Sequence, residues 1–227
     1  MLIPPTFHPF ELELLQAFNV KQLELTESFL SNLDDHVETY SKEVFYQTHA
    51  EDEGKAIEID VEHIGGLSED DCDFKSVFHE VLPMYQRQSM LVTHWAIFEC
   101  ELKNYYTFLA PKLGRSKRIP KKKKGESTLE HLSRVYKGLG LYLDKSTAYK
   151  EAFDILNDEV RFVRNDWVHN GGRPTNTKNL EAIDGISLNG GQMELSTAYL
   201  EKVTKCIWTV SREISSSVID VMAKLKS

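Results

Sequence analysis

The stretch AFDILNDEVRFVRNDWVHNGG, residues 152–172, decides how this chain folds. Phe153, Leu156, Val160, Val163 and Trp167 recur at steps of three or four. At about 3.6 residues per turn, that spacing lines one face of a helix. Asn170, Gly171 and Gly172 follow, and Asn and Gly tolerate the left-handed conformation that ends a helix. Pro174 then bars resumption. The spacing predicts an amphipathic helix over 147–169 that buries one stripe and stops abruptly.

The same periodicity recurs along the chain. Leu25, Phe29, Leu33, Val37, Tyr40 and Val44 predict a long first helix, and Leu91, Trp95, Phe98, Leu102, Tyr105 and Leu109 a second. Leu129, Leu132, Tyr136 and Leu139 mark a shorter third, opened by Ser127 and Glu130. That pair has capping-box spacing, in which each side chain satisfies the other residue's backbone N–H. Leu200, Val203, Ile207, Val210, Ile214, Val218, Val221 and Leu225 mark the last helix. Elements that each bury one stripe pack together, so the expected fold is all-α, a bundle of about five main helices. Two stretches depart from helical spacing. AIEIDVEHI, residues 56–64, alternates as a strand does. GISLNGGQMEL, residues 185–195, centres on Asn189-Gly190, a pair suited to a tight hairpin turn. It predicts a small β-hairpin between the last two main helices. Residues 65–73 and 112–125 are expected to be an acidic and a basic loop.

A chain of 227 residues is long enough for one well-filled core, and one domain over 1–227 is expected. No apolar run is long enough to span a bilayer, and the N-terminus lacks a basic region ahead of an apolar one. Cys72, Cys100 and Cys206 are odd in number and far apart, which argues against a disulfide framework. A reducing cytoplasmic setting without a membrane partner is expected. The net charge of −8 conceals a strong asymmetry. Residues 1–84, read as an acidic helical extension within the domain, carry 4 Lys/Arg against 19 Asp/Glu. Residues 112–124 carry 8 Lys/Arg and no acid. Local rather than net charge decides whether a polyanion can dock.

Chemistry is concentrated at the end of the helix over 147–169. Arg164, Asn165 and His169 form R-N-x-x-x-H. Asn165 and His169 are one turn apart, so Asn165 can hydrogen-bond the imidazole and set its tautomer. Arg164 and His169 lie about 140° apart around an ideal helix. They can meet only if the helix end distorts or if two copies of the helix face each other. A histidine with a guanidinium suits RNA cleavage without a metal. The imidazole moves protons at the 2′-OH and the leaving 5′-oxygen, and the guanidinium stabilises the phosphoryl oxygens. No carboxylate cage for magnesium accompanies the motif. The other histidines (His8, His36, His49, His63, His79, His94 and His131) lack metal-ligand spacing, so neither metal nor cofactor is expected.

With these residues at the end of a late helix, the chain resembles the HEPN superfamily, from about residue 85 to 227. The resemblance implies a metal-independent endoribonuclease with Arg164, Asn165 and His169 as catalytic residues. It implies a homodimer formed through the motif helices, RNA as substrate, and an antitoxin or other regulatory protein as a further partner in toxin–antitoxin or antiviral defence. It also implies that Glu99, on the earlier core helix, faces the site. Residues 1–84 have no counterpart in the resemblance. Competing readings stay open. Arg and His suit the negative end of a helix dipole whatever the function, and some domains of this kind only bind or dimerise. The basic run is a solvated loop, a phosphate-gripping arm, or a partner for the acidic half.

Overall fold

The computed structural model describes residues 7, 9–46, 55–174 and 177–225; His8 and His49 lie outside them. These residues form two compact units. One comprises Asn19–Gln86, and the other joins the residues up to Phe18 with those from Arg87 onward. Among the described residues, no helix is long and apolar enough to cross a membrane.

The smaller unit holds most of α1 (Phe10–Ser31), strands β1 (Glu38–Tyr46), β2 (Lys55–Ile64) and β3 (Leu67–Ser68), and the start of α2 (Phe74–Lys112). β1 and β3 flank β2 in an antiparallel sheet. The strand expected at 56–64 is therefore present, but the first helix does not continue to Val44. It stops at Ser31, where Ser31 Oγ and Asn32 Nδ2 donate to the carbonyls of Glu27 and Ser28. A 3-10 turn over Leu33–His36 follows, and Tyr40 and Val44 then pair in register with Val61 and Ile57. The physical reason is that a step of four is also a multiple of two. Tyr40 and Val44 share a strand face as readily as a helix face, and the long partner strand decides. The unit closes around Leu33, Ile64 and Phe74, with Phe29 and Phe78 edge to face at 5.6 Å.

The larger unit is helical apart from one hairpin. It contains the rest of α2, then α3 (Thr128–Gly138), α4 (Thr147–Asp154), α5 (Arg161–Asn170), α6 (Thr177–Glu181) and α7 (Thr197–Lys224). Trp95, Phe98, Leu102, Leu132, Tyr136, Leu156, Val160, Ile207 and Val218 are all buried. They are the residues that helical spacing placed inward. Tyr136 sends its hydroxyl to the Leu102 carbonyl at 2.7 Å, so its one polar atom is satisfied inside the core. β4 (Ile186–Asn189) and β5 (Gln192–Leu195) form the expected hairpin. Its turn is one residue later than expected. Asn189 faces Gln192 as the last ladder pair, and Gly190 and Gly191 adopt φ of 56° and 80°. Two glycines satisfy two positive φ angles better than Asn-Gly does.

The helix expected over 147–169 is helical throughout but not uniform. Ile155–Val160 is a π-helical turn joining α4 to α5. At this widened turn the buried Asn157 accepts a 2.6 Å hydrogen bond from Ser127 Oγ. Ser127 also caps α3: its Oγ accepts from Glu130 N while Glu130 Oε2 accepts from Ser127 N. One hydroxyl thus serves a helix start and a core amide together. Ser127→Ala removes the cap and leaves the Asn157 carbonyl unpartnered. The expected loss is about 2 kcal/mol, a fall of roughly 4–8 °C in Tm. Thermal unfolding followed by circular dichroism measures it; a fall under about 1 °C shows that the pair is not a stabilising contact.

Candidate functional site

The end of α5 is built by a double glycine. Gly171 is left-handed, φ 60°, and both its N–H and that of Gly172 point back to the Asp166 carbonyl. Gly172, φ 76°, lies directly against the Trp167 ring; a Cβ there would come within 2.1 Å of the indole. The hairpin seals this corner. Met193 N donates to Gly172 O at 2.8 Å, and Gln192 Nε2 donates to Gly171 O at 2.8 Å. From α2, Gln88 Nε2 donates to the Met193 carbonyl. Helix end, hairpin and α2 are thus joined by one set of hydrogen bonds to main-chain carbonyls, which fixes the chain that follows the last turn of α5, where His169 sits.

The three motif residues fall into two groups. Arg164 is half-buried, and its Nη1 donates to Asn165 Oδ1 at 2.9 Å. Its Nε is buried without a hydrogen-bond partner. His169 is exposed. The expected Asn165–His169 hydrogen bond is not formed; the Asn165 side chain accepts from Arg164 instead. α5 is regular α-helix from Arg161 to Asn170, so the helix end is not distorted. Arg164 and His169 therefore remain about 140° apart, and a single chain does not bring them together. Helix geometry explains the partition. Val160, Val163 and Trp167 define the buried stripe. Arg164 projects along its margin, whereas Asn165 and His169 lie on the opposite side with Phe162.

Phe162 was not singled out by periodicity, because it stands off the apolar stripe. It is 52% exposed; Val168, about 120° further round the helix, is 47% exposed. Arg161 lies over the Phe162 ring at 4.5 Å. An apolar residue on the polar face of an amphipathic helix was the available signal. Asn157 left a comparable one, an amide beside Leu156 within the core stripe.

Glu99, expected to face the site, is engaged within α2. It accepts from Trp95 Nε1 at 3.0 Å and lies 4.0 Å from Lys103 Nζ. Burial pushes the His94 imidazole below its usual pKa, against a smaller opposing effect of the Met90 carbonyl. Among the described residues, no group of three or more His, Cys, Asp or Glu could hold a metal ion. Two cavities, of 310 and 490 Å³, open elsewhere. The first lies beside Tyr142, Lys145 and Asp220, the second beside Arg134, Tyr149 and Phe153, and neither is lined by a motif residue.

The two cap glycines differ in what surrounds them. At Gly171 a Cβ meets open space, so Gly171→Ala bears only the left-handed strain, about 1 kcal/mol. At Gly172 the indole must also move, so Gly172→Ala is expected to cost roughly 3 kcal/mol or more. Paired denaturant titrations test the ordering, and equal midpoints would show that Trp167 does not need the bare glycine. Compared with known family models, curated proteins and solved structures, the chain matches none.

Proposed function

We propose that two copies of this chain assemble a metal-independent endoribonuclease, as the resemblance to the HEPN superfamily implies. The observation that carries this reading is the partition of the motif. Arg164 is held at the core margin by Asn165, while His169 stands exposed beside Phe162. One chain supplies an anchored guanidinium and an accessible imidazole that do not converge. A second α5 laid against the same face supplies the complement. The exposed Phe162 gives that face an apolar component for a partner to cover.

In this reading the chemistry is a transesterification. One His169 takes the proton from a ribose 2′-OH as its oxygen attacks the adjacent phosphorus. The P–O5′ bond breaks, and the symmetry-related His169 protonates the leaving 5′-oxygen. The products are a 2′,3′-cyclic phosphate and a 5′-hydroxyl. Arg164 neutralises charge on the non-bridging oxygens. Asn165 is a positioning residue for Arg164, in place of the role toward His169 that spacing suggested. The proposed setting is a defence or toxin system in which a regulatory protein restrains the activity.

The direct test incubates purified protein with a labelled mixed RNA pool in EDTA, beside His169→Ala. Cleavage by the parent chain and at least about 100-fold less by the variant is expected, the scale of general acid–base catalysis. Equal cleavage by both, or by neither, removes His169 as a catalytic group. The second reading, a dimerising module without chemistry, is favoured by the exposed Phe162 alone. Phe162→Glu separates the two. Sedimentation is expected to show dimer dissociation at least about 10-fold easier, about 1.4 kcal/mol, with unchanged helicity, and cleavage to fall with dimer content. Loss of the dimer from a chain that never cleaved RNA selects the module; an unchanged dimer places the interface elsewhere.

A further inference from the structure

The loop between α2 and α3 holds the highest density of charge in the chain and does nothing in the site described above. Lys112, the last residue of α2, and Arg115, Lys117, Arg118 and Lys121–Lys124 of the loop supply the eight cations of this segment. All eight are exposed. Among the described residues, none lies in an ion pair with a carboxylate, and Lys112 instead sits over the Phe108 ring at 3.9 Å. The contrast with the acidic half is sharp. There Lys21, Lys42 and Lys75 are each paired, with Glu24, Asp70 and Asp34. A chain with a net charge of −8 has carboxylates to spare, yet the loop is left without them.

The loop is nevertheless held in place. At its start Arg115 N donates to Ala110 O, and Tyr106 OH reaches Ser116 O. At its end Arg134 grips Glu126 through Nε at 2.7 Å and Nη2 at 2.9 Å, and Nη2 also lies 3.2 Å from the Lys121 carbonyl. The Glu126 carboxylate in turn accepts from Lys123 N at 2.9 Å. Arg134 beside it holds the Glu126 carboxyl down to about 2, so the clamp stays charged at any ordinary pH. Every one of these bonds uses the backbone of the loop or residues beyond it, which leaves the ammonium and guanidinium groups facing water. Ser127, the next residue, is bonded to Asn157 in the π-turn that leads into α5.

We infer that residues 112–124 form a fixed arm that grips the phosphate backbone of single-stranded RNA, an inference that rests on the ribonuclease reading for the identity of the polyanion. Like charges crowded on a short loop repel one another, and a polyanion relieves that repulsion where no internal acid does. The loop has no aromatic side chain, so it offers no stacking platform for bases. Its contacts are to phosphate and carry no sequence information. A lipid surface fits less well, because the loop's aliphatic side chains that could enter it, Leu113 and Ile119, are both half-buried.

The test reads binding apart from cleavage. A 5′-fluorescein single-stranded RNA of mixed sequence is titrated by anisotropy in EDTA against full-length His169→Ala, across a salt series. The same chain carrying Lys121→Gln, Lys122→Gln, Lys123→Gln and Lys124→Gln is compared, with circular dichroism confirming its fold. Each lost phosphate contact lowers the slope of log K against log salt by about 0.7. The expected result is a slope shallower by roughly 2–3 and, at low salt, affinity weaker by at least about 10-fold. Unchanged slope and affinity overturn the inference. So does a quadruple variant that loses self-association but keeps its RNA affinity, which assigns the loop to the acidic surface of a second copy. If loop-dependent binding holds while the parent chain fails to cleave, the nuclease reading falls and the grip stands. If cleavage depends on His169 but not on the loop, the nuclease reading stands and the grip falls.

Discussion

The left-handed turn at Gly171–Gly172, closed over by the Trp167 indole, is the constraint on which the candidate site depends. The ring occupies the space where any Cβ at residue 172 would stand. That contact ends α5 at a defined residue and turns the chain toward the hairpin. The hairpin returns to bond the same two glycines, and Gln88 ties it to α2. Segments distant in sequence therefore meet at one helix end. A histidine in the last turn of a helix would ordinarily share the fraying of that turn. Here His169 is exposed on a turn whose following amides and carbonyls are bonded, so an accessible imidazole stands on a fixed backbone.

A second buried contact serves the other end of the same helical stretch. Ser127 and Asn157 are polar residues inside an apolar core, and each would be costly alone. Together they join the start of α3 to the π-turn ahead of α5. π-turns place an extra residue in a helical repeat and recur at functional sites because of the local adjustment they permit. Here the turn is where an amide reaches across to a neighbouring helix. It also brings the basic loop, which leads directly into Glu126 and Ser127, into the same hydrogen-bonded framework as the motif helix. The two features proposed to contact phosphate, the anchored Arg164 and the lysines of the loop, are thus carried by one connected scaffold.

Charge is sorted along the chain in a way that follows from pairing rather than from composition. The smaller unit engages Lys42 and Lys75 internally, stitching β1 to the acidic loop at Asp70 and the start of α2 to Asp34. Exposed pairs of this kind contribute little stability individually, but they occupy the cations that form them. The larger unit does the opposite at residues 112–124. There the Glu126–Arg134 pair secures the backbone of the loop and leaves the loop's own charged side chains facing water.

Much of this architecture was legible in the residues because the signals are local. The capping box at Ser127 and Glu130, the double-glycine stop and the hairpin each involve partners within a few positions, and steps of three and four placed the cores of α2, α3 and α7. What sequence alone determined was therefore where α3 begins, where α5 ends, and that Arg164 and His169 point apart on a regular helix. Tertiary structure decided the rest. Residues 38–46 became a strand because β2, itself legible in the alternation of 56–64, offers them a full-length partner, and Tyr40 and Val44 fit either period. Asn157 became a core residue because Ser127, thirty positions away, meets its amide. The Asn165 carbonyl oxygen went to Arg164 rather than His169 because the guanidinium, confined at the core margin, reaches the carbonyl oxygen beside it. In the first two cases a partner distant in sequence, which only folding brings close, selected the outcome.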